Sequence, residues 1–325
     1  MDKLRFAVIG VGRMGQHHAR ILAGNPQVNL VAVVDAKNST SRKIARQYNC
    51  EEYKHYTRLF DRSPVDAVVI AVPTVMHYEV ASQFLERGIH CMIEKPITST
   101  VEDAERLIAL AEEKGCVLQV GHIERYNAAV RKLDEILTKP AFIECHRLGP
   151  SARITDVGVV LDLMIHDIDI ILQLVNSPIV SMDAVGVNVL TDFEDIANVR
   201  MKFKSGCTAN LTVSRVSPKP QRKIRIFQKD TYVSLDLMPD KQSIEVYQRI
   251  PRPKAQPGEP NADIVCKKLR PKKEDMLTLE HNDFIKAIVE GKTPGVTGEH
   301  ARDALHVAVE VARRIREANA AQNFD

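Results

Sequence analysis

The sequence predicts an α/β protein in two parts. A doubly wound parallel sheet covers residues 1–121, and an α+β domain on a mostly antiparallel sheet covers 122–325. Three observations predict this. Short apolar runs alternate with helical segments as far as Gly121. A turn of spacing G-x-G-x-x-G joins the first run to the first helix. Beyond Gly121 that alternation gives way to short strands separated by turn signals.

The first run is Phe6–Ile9, of buried-strand type. Gly10, Gly12 and Gly15 follow, and a helix is predicted over Met14–Ala23, stopped by Gly24 and Pro26. Gly10 permits the tight turn, Gly12 lets backbone approach a pyrophosphate, and Gly15 lets helix and sheet pack closely. Arg13 and Met14 open the helix, whose first N–H groups suit an anion. A second strand, Val31–Val34, ends at Asp35, placed to accept from a ribose 2′-hydroxyl. An acid there disfavours a 2′-phosphate, so NAD is expected rather than NADP. A helix over Ser39–Tyr48 with Ser39 as cap comes next. The third strand, Asp66–Val72, leads to Ala71, Pro73 and Thr74, then to a helix His77–Arg87. The fourth, His90–Ile93, ends in Glu94-Lys95-Pro96. A helix Thr100–Lys114 and a fifth strand, Val117–Val120, complete the part, ending at Gly121-His122. In such sheets ligands gather at the carboxyl ends of the strands, which puts Asp35, Pro73, Thr74, Lys95 and His122 on one rim.

The second part begins with a predicted helix, Asn127–Leu137, and a strand, Ala141–Arg147. A long helix, Val159–Val175, is apolar apart from Asp162, His166, Asp167, Asp169 and Gln173, and is therefore expected to be buried. Asp162, His166 and Asp169 fall at i, i+4 and i+7 on one face. Buried charges need partners or a task. Two readings follow: a satisfied polar seam, or a substrate-facing stripe with His166 as proton acceptor and Asp162 orienting it. Strands are predicted within 183–190, 197–204, 207–214, 223–228, 231–237 and 243–248. Arg249–Lys273, with five prolines and eight Lys/Arg against two acids, reads as a projecting basic loop. Amphipathic helices over Met276–Glu290 and Glu299–Ala320 close the chain, and residues 276–325 are able to pack back on the first domain.

Composition excludes several classes. Net charge is +3 over 325 residues, too small to point to nucleic acid or a membrane surface. No apolar run approaches 18 residues and no secretory leader pattern opens the sequence. Six scattered cysteines without a C-x-x-C pair read as reduced thiols of a cytoplasmic protein, and no metal site is expected.

The motifs GVGRMG (10–15), AVPTVMH (71–77), EKP (94–96), GHIERYN (121–127) and LDLMIHDID (161–169), with EGKTP (290–294), resemble the glucose–fructose oxidoreductase/inositol dehydrogenase/MocA family of NAD(P)-dependent sugar dehydrogenases. The resemblance covers most of the chain in order. It implies a Rossmann domain followed by a domain with a large open-faced sheet that pairs subunits, hence a homodimer or homotetramer. It also implies Lys95, Asp162 and His166 as catalytic residues, with either Lys95 or His166 as the ultimate base. Ala128 stands where the family motif has proline. Cofactor contacts are expected from Gly10, Gly12, Arg13, Met14, Gly15, Asp35, Ala71, Pro73, Thr74, His77, Glu94, Lys95 and His122. Substrate contacts are expected from Lys95, Arg125, Tyr126, Asn127, Arg153, Asp162 and His166, with Arg131 and Arg147 as further cations for a diphosphate. Within the family the 121–175 segments are most similar to the branch that oxidises the C3 hydroxyl of UDP-N-acetylglucosamine, feeding 2,3-diamino sugars of lipid A or surface polysaccharide. Oxidation of the matching uronic acid, of a free sugar or of a cyclitol such as inositol stays open. So does a non-catalytic NAD-binding regulator whose partner meets the basic loop.

Overall fold

The computed structural model describes residues 2–150, 157–252 and 262–321. The chain divides into two compact units, Met1–Tyr126 with Glu274–Leu305, and Asn127–Lys273 with His306–Asp325.

In the first unit the elements run β1 (Leu4–Ile9), α1 (Arg13–Gly24), β2 (Val28–Val34), α2 (Asn38–Tyr48), β3 (Glu51–Tyr53), α3 (Arg58–Arg62), β4 (Ala67–Ile70), α4 (His77–Leu85), β5 (His90–Glu94), α5 (Val101–Lys114) and β6 (Leu118–Gly121). The strands form one parallel sheet in the order β3-β2-β1-β4-β5-β6. The apolar runs are strands because every residue from Phe6 to Ile9 and from Ala67 to Ile70 is buried, as helices on both faces require. Thr100 caps α5, its Oγ1 accepting the Asp103 N–H at 3.2 Å, and Gly115 ends that helix at φ +64°. Ser39 is not a cap: α2 starts one residue earlier, and Lys37 holds that position without a side-chain bond. The sequence reading contains neither β3 nor α3. β3 is a three-residue polar edge strand with no apolar run to announce it.

The second unit holds α6 (Ala128–Arg131), β7 (Pro140–Pro150), α7 (Ile165–Val175), β8 (Ile179–Val187), β9 (Ile196–Phe203), β10 (Thr208–Ser214), β11 (Val216–Gln228), β12 (Thr231–Asp236), β13 (Ser243–Pro251) and β14 (Ala262–Leu269). Its sheet has the order β14-β13-β12-β11-β7-β10-β9-β8. Every neighbouring pair is antiparallel except β7 with β10. The alternation read in β10 is real: Ala209, Leu211 and Val213 are fully buried, while Thr208, Asn210 and Thr212 are half-buried.

Three expectations change here. The helix expected over 127–137 is only α6 and a 3₁₀ turn, Lys132–Glu135. The long helix starts with a π turn, Val160–Met164, before α7. The basic stretch is not all loop: β13 runs on to Pro251 and pairs with β14, whose interior residues are exposed. Lysines on such an edge discourage further pairing, which is why a strand carries a loop-like composition.

Two helices close the chain, α8 (Met276–Glu290) and α9 (Gly298–Ala321). Asp275 caps α8 through the Leu277 N–H at 3.1 Å. Within the first unit, Phe284 of α8 packs edge-on against Phe6 of β1, ring centroids 5.9 Å apart, and joins the cluster of Val8, Leu22, Leu30, Val33 and Met92. Burying a side chain of that size contributes about 1.5–3 kcal/mol. Among the described residues no disulfide joins the six cysteines. Among the described residues no helix is long and apolar enough to cross a membrane, and no His/Cys/Asp/Glu group could hold a metal.

Candidate functional site

The parallel sheet brings one group of the expected residues together. Gly10 follows β1, Asp35 follows β2, Ala71 follows β4, Lys95 follows β5 and His122 follows β6, so all sit at carboxyl ends of neighbouring strands. Gly10 has φ +85°, and a Cβ there would lie 2.6 Å from the Ala71 carbonyl oxygen. A Cβ on Gly15 would lie 1.8 Å from the Gly10 oxygen. Only glycine fits either position. A Cβ on Gly12 meets nothing within 4 Å, so open space stands over the start of α1. Arg13 and Met14 are exposed there, and the first turn carries no acid to oppose an anion. Asp35 Oδ2 accepts the Val11 N–H at 3.0 Å and Oδ1 the Lys37 N–H at 2.8 Å. Each oxygen retains a second lone pair for a ribose hydroxyl. A dinucleotide's pyrophosphate and ribose fit these residues.

The next strand ends are tied by His77. It is buried, with Nδ1 2.9 Å from the Pro96 oxygen and Nε2 3.0 Å from the Val72 oxygen. Both ring nitrogens thus face main-chain carbonyls, and His77 is a peg between the ends of β4 and β5. Burial pulls its pKa down despite the carbonyl bonds, which favour the charged form. Thr74 begins a short 3₁₀ turn, held by the Met76 N–H to the Pro73 oxygen. Lys95 is half-buried, its main-chain N–H donating to Glu94 Oε2 at 3.3 Å. Glu94 Oε1 accepts from His18 Nε2 at 2.7 Å. Burial would raise the Glu94 pKa, but the His18 bond, the charges of His18 and Lys95 and the Lys95 N–H together hold it low.

The GHIERYN segment is less open than its motif suggests. His122 is buried, Arg125 half-buried. The Tyr126 hydroxyl donates to Asp283 Oδ2 at 2.7 Å, the atom that also accepts the Gly295 N–H. Burial and Asp283 push that phenol far up. Asn127 is buried and caps α6, Oδ1 accepting the Ala129 N–H at 3.0 Å and a bond from Gln242. Both were expected to touch substrate; in the structure the polar groups of both tie their own unit together.

In the second unit Asp162 and His166 are half-buried on the π turn and the start of α7. A π turn closes i→i+5 bonds, so residues four apart still share a face of the helix, as expected for Asp162 and His166. Arg147 is not a surface cation for a diphosphate. It is buried and grips Asp167 with two bonds, Nε to Oδ2 at 2.9 Å and Nη2 to Oδ1 at 2.7 Å. Arg131 is exposed, and Arg153 lies outside the described residues.

Sequence reasoning missed two acids beside the π turn. Glu194 Oε1 accepts the Val160 N–H at 3.2 Å, and its carboxylate occupies the space a Cβ on Gly158 would need. Asp195 gathers the N–H groups of Val189, Leu190 and Thr191 and pairs with Arg215, which reaches the Val157 oxygen. It missed His18, Glu280 and His281 as well, whose only signal is polar residues at core positions of apolar helices.

Residues 4–122 match the model described as the oxidoreductase family, NAD-binding Rossmann fold, and residues 145–233 match the GFO/IDH/MocA C-terminal domain. The UDP-N-acetylglucosamine 3-dehydrogenase of Acidithiobacillus ferrooxidans is 36% identical over 313 residues, 96% of this chain and 97% of that one. A solved structure of it superposes with a TM-score of 0.89 at 34% identity, covering 98% and 99% of the two chains. The scyllo-inositol 2-dehydrogenase (NAD(+)) of Bacillus subtilis is 29% identical over 235 residues, 66% of this chain and 68% of that one. With the glycine cradle, the strand-end rim and both domains matched, this chain belongs to the GFO/IDH/MocA family of NAD-binding oxidoreductases.

Proposed function

We propose that this protein is a dehydrogenase of UDP-N-acetylglucosamine, oxidising the C3 hydroxyl to a 3-keto sugar with NAD. The observation that carries this reading is the 36% identity to an enzyme of that name over nearly the whole of both chains, sugar-handling half included. Inositol enzymes are less alike: one is 29% identical over about two thirds of each chain, and a myo-inositol 2-dehydrogenase is 26% identical over 97% of each.

Gly10, Gly12, Arg13, Met14 and Gly15 would hold the pyrophosphate of NAD and Asp35 its ribose. When bound, the nicotinamide supplies the acceptor for the hydride. The protein's part is the proton and the charge. His166 takes the C3 hydroxyl proton at its imidazole, Asp162 orients that ring, and the Lys95 ammonium stabilises the oxygen as it loses the proton. Arg125 contributes to diphosphate recognition, and the acid at Asp35 disfavours a 2′-phosphorylated cofactor.

The same reading places the enzyme in the cytoplasm, upstream of an amination of the keto group toward a 2,3-diamino sugar. It makes the protein a homodimer or homotetramer paired through the open sheet. Supporting this, Phe142, Phe227, Tyr232 and Tyr247 form a ladder of rings 4.7–5.8 Å apart across β7, β11, β12 and β13. Ile250, Ile264 and Val265 on the outer strands are exposed.

The test is NADH absorbance with a panel of UDP-N-acetylglucosamine, its uronic acid, glucose and myo-inositol. Turnover is expected with UDP-N-acetylglucosamine. Lys95→Met and His166→Asn should each lower kcat by about 10²–10⁴ while NAD still binds. Near wild-type turnover in both variants would overturn the assignment, and preference for a free sugar would overturn the substrate.

A further inference from the structure

One polar chain lies in the interior of the first unit. His18 of α1 is 1% exposed and His281 of α8 is 0% exposed. His18 Nε2 is 2.7 Å from Glu94 Oε1, and His18 Nδ1 is 2.9 Å from His281 Nε2. The two rings meet edge to face, centroids 5.0 Å apart. At the far end His281 Nδ1 has no hydrogen-bond partner among the described residues. Beside it on α8, Glu280 is 0% exposed and neither carboxylate oxygen has a hydrogen-bond partner among the described residues. At the near end Glu94 Oε2 accepts the Lys95 N–H. Gly121 of β6 leaves room for this carboxylate: a Cβ there would sit 3.3 Å from Glu94 Cδ and Oε2.

The groups facing Glu94 fix how charge is shared. Burial, then the charges of Glu94 and Asp283, push the Glu280 carboxyl well above the usual range, so it stays neutral. Burial, then His18, pushes His281 well below the usual imidazole range, so it is neutral too. Glu94 is held ionised by His18 and Lys95 against its burial, and its charge reaches His77 of α4. The negative charge of this interior therefore rests on Glu94. An ionised Glu94 accepts only, so His18 Nε2 carries the hydrogen that donates to it.

We propose that His18 is a positioning residue for the oxidation, aiming the Glu94 carboxylate so that Glu94 fixes the Lys95 main chain and sustains the Lys95 ammonium, while His281 braces the other nitrogen of the His18 ring. This rests on the reading of Lys95 as a catalytic residue. Helix α1, whose start is the glycine turn, is thereby wired to the end of β5. Losing His18 removes the main donor to Glu94. Glu94 then takes up a proton more readily, and Lys95 loses its anionic neighbour. The Lys95 ammonium then deprotonates at lower pH, and the alkaline limb of the rate profile moves with it.

The experiment is a kcat profile between pH 6 and 10, with NAD affinity measured in parallel on the full-length protein. His18→Leu should move the alkaline limb acidward by about one pH unit and lower kcat roughly ten- to a hundredfold. NAD affinity should stay within about twofold, because uniform binding is untouched. His18→Gln, which restores a donor, should recover most of the profile. Glu94→Gln keeps the shape without the charge and should reproduce the acidward shift, so the proposal stays testable even if His18→Leu does not fold. Wild-type profiles in His18→Leu or Glu94→Gln, with Lys95→Met inactive, would overturn the positioning role and leave the dehydrogenase reading intact. Full turnover in Lys95→Met would overturn the catalytic reading of Lys95 and the positioning role with it.

Discussion

Asp195 in the second unit and Glu280 in the first are both fully buried carboxyl groups, and they are held in opposite charge states. Burial alone would raise the pKa of each. At Asp195 three main-chain N–H groups and the Thr191 hydroxyl outweigh it and hold the pKa at about 2. At Glu280 no donor among the described residues reaches either oxygen, and the neighbouring charges of Glu94 and Asp283 add to burial. Exposure does not decide whether a buried acid is ionised; the donors aimed at it do. The fully satisfied acids of the second unit, Asp195 and Asp167, brace its loops and helix. The incompletely satisfied group of the first unit adjoins the Glu94–Lys95 strand end.

The sharpest break of this contrast is at Arg147. Arg147→Met leaves Asp167 charged and uncompensated, and should destabilise the protein by about 3–5 kcal/mol, read by chemical denaturation. Arg147→Met with Asp167→Leu removes both charges and should recover most of that loss. A single and a double variant equally unstable would show that packing, not the pair, dominates there. Asp195→Asn comes next. An acid whose folded pKa is depressed from 3.8 to about 2 stabilises the fold above its unfolded pKa, and that stability is lost as pH falls through the folded value. Wild type should exceed the variant by about 2 kcal/mol near neutrality, the gap closing between pH 4 and pH 2. Glu280→Gln should give the smallest effect and the opposite slope. A carboxyl with a raised folded pKa keeps a proton that the unfolded chain releases, so wild type loses stability as pH rises above the usual glutamate range. The melting temperature of Glu280→Gln relative to wild type should climb with pH; a constant difference would mean Glu280 is ionised in the fold.

Much of the scaffold was readable in the residues. Phe6–Ile9, Gly10-x-Gly12-x-x-Gly15 and the strand leading to Asp35 are local signals, and each became the element they predict. β3 escaped because Glu51-Glu52-Tyr53 looks like any polar loop. β14 escaped because an exposed edge strand tolerates lysine. The motif residues were harder. Tyr126, Asn127 and Arg147 sit in or beside segments associated with substrate, yet Asp283, Gln242 and Asp167 occupy their polar groups. Nothing local announces such partners.

By itself the sequence determined the two-part α/β architecture, the dinucleotide cradle and the family, because hydrophobic period and glycine spacing act over a handful of residues. Only the tertiary structure decided which polar side chains close on one another: His18 meets Glu94 across 76 positions and His281 across 263. Hydrogen bonds between distant segments depend on where folding brings their backbones, and a buried group's charge follows from those partners rather than from its own identity.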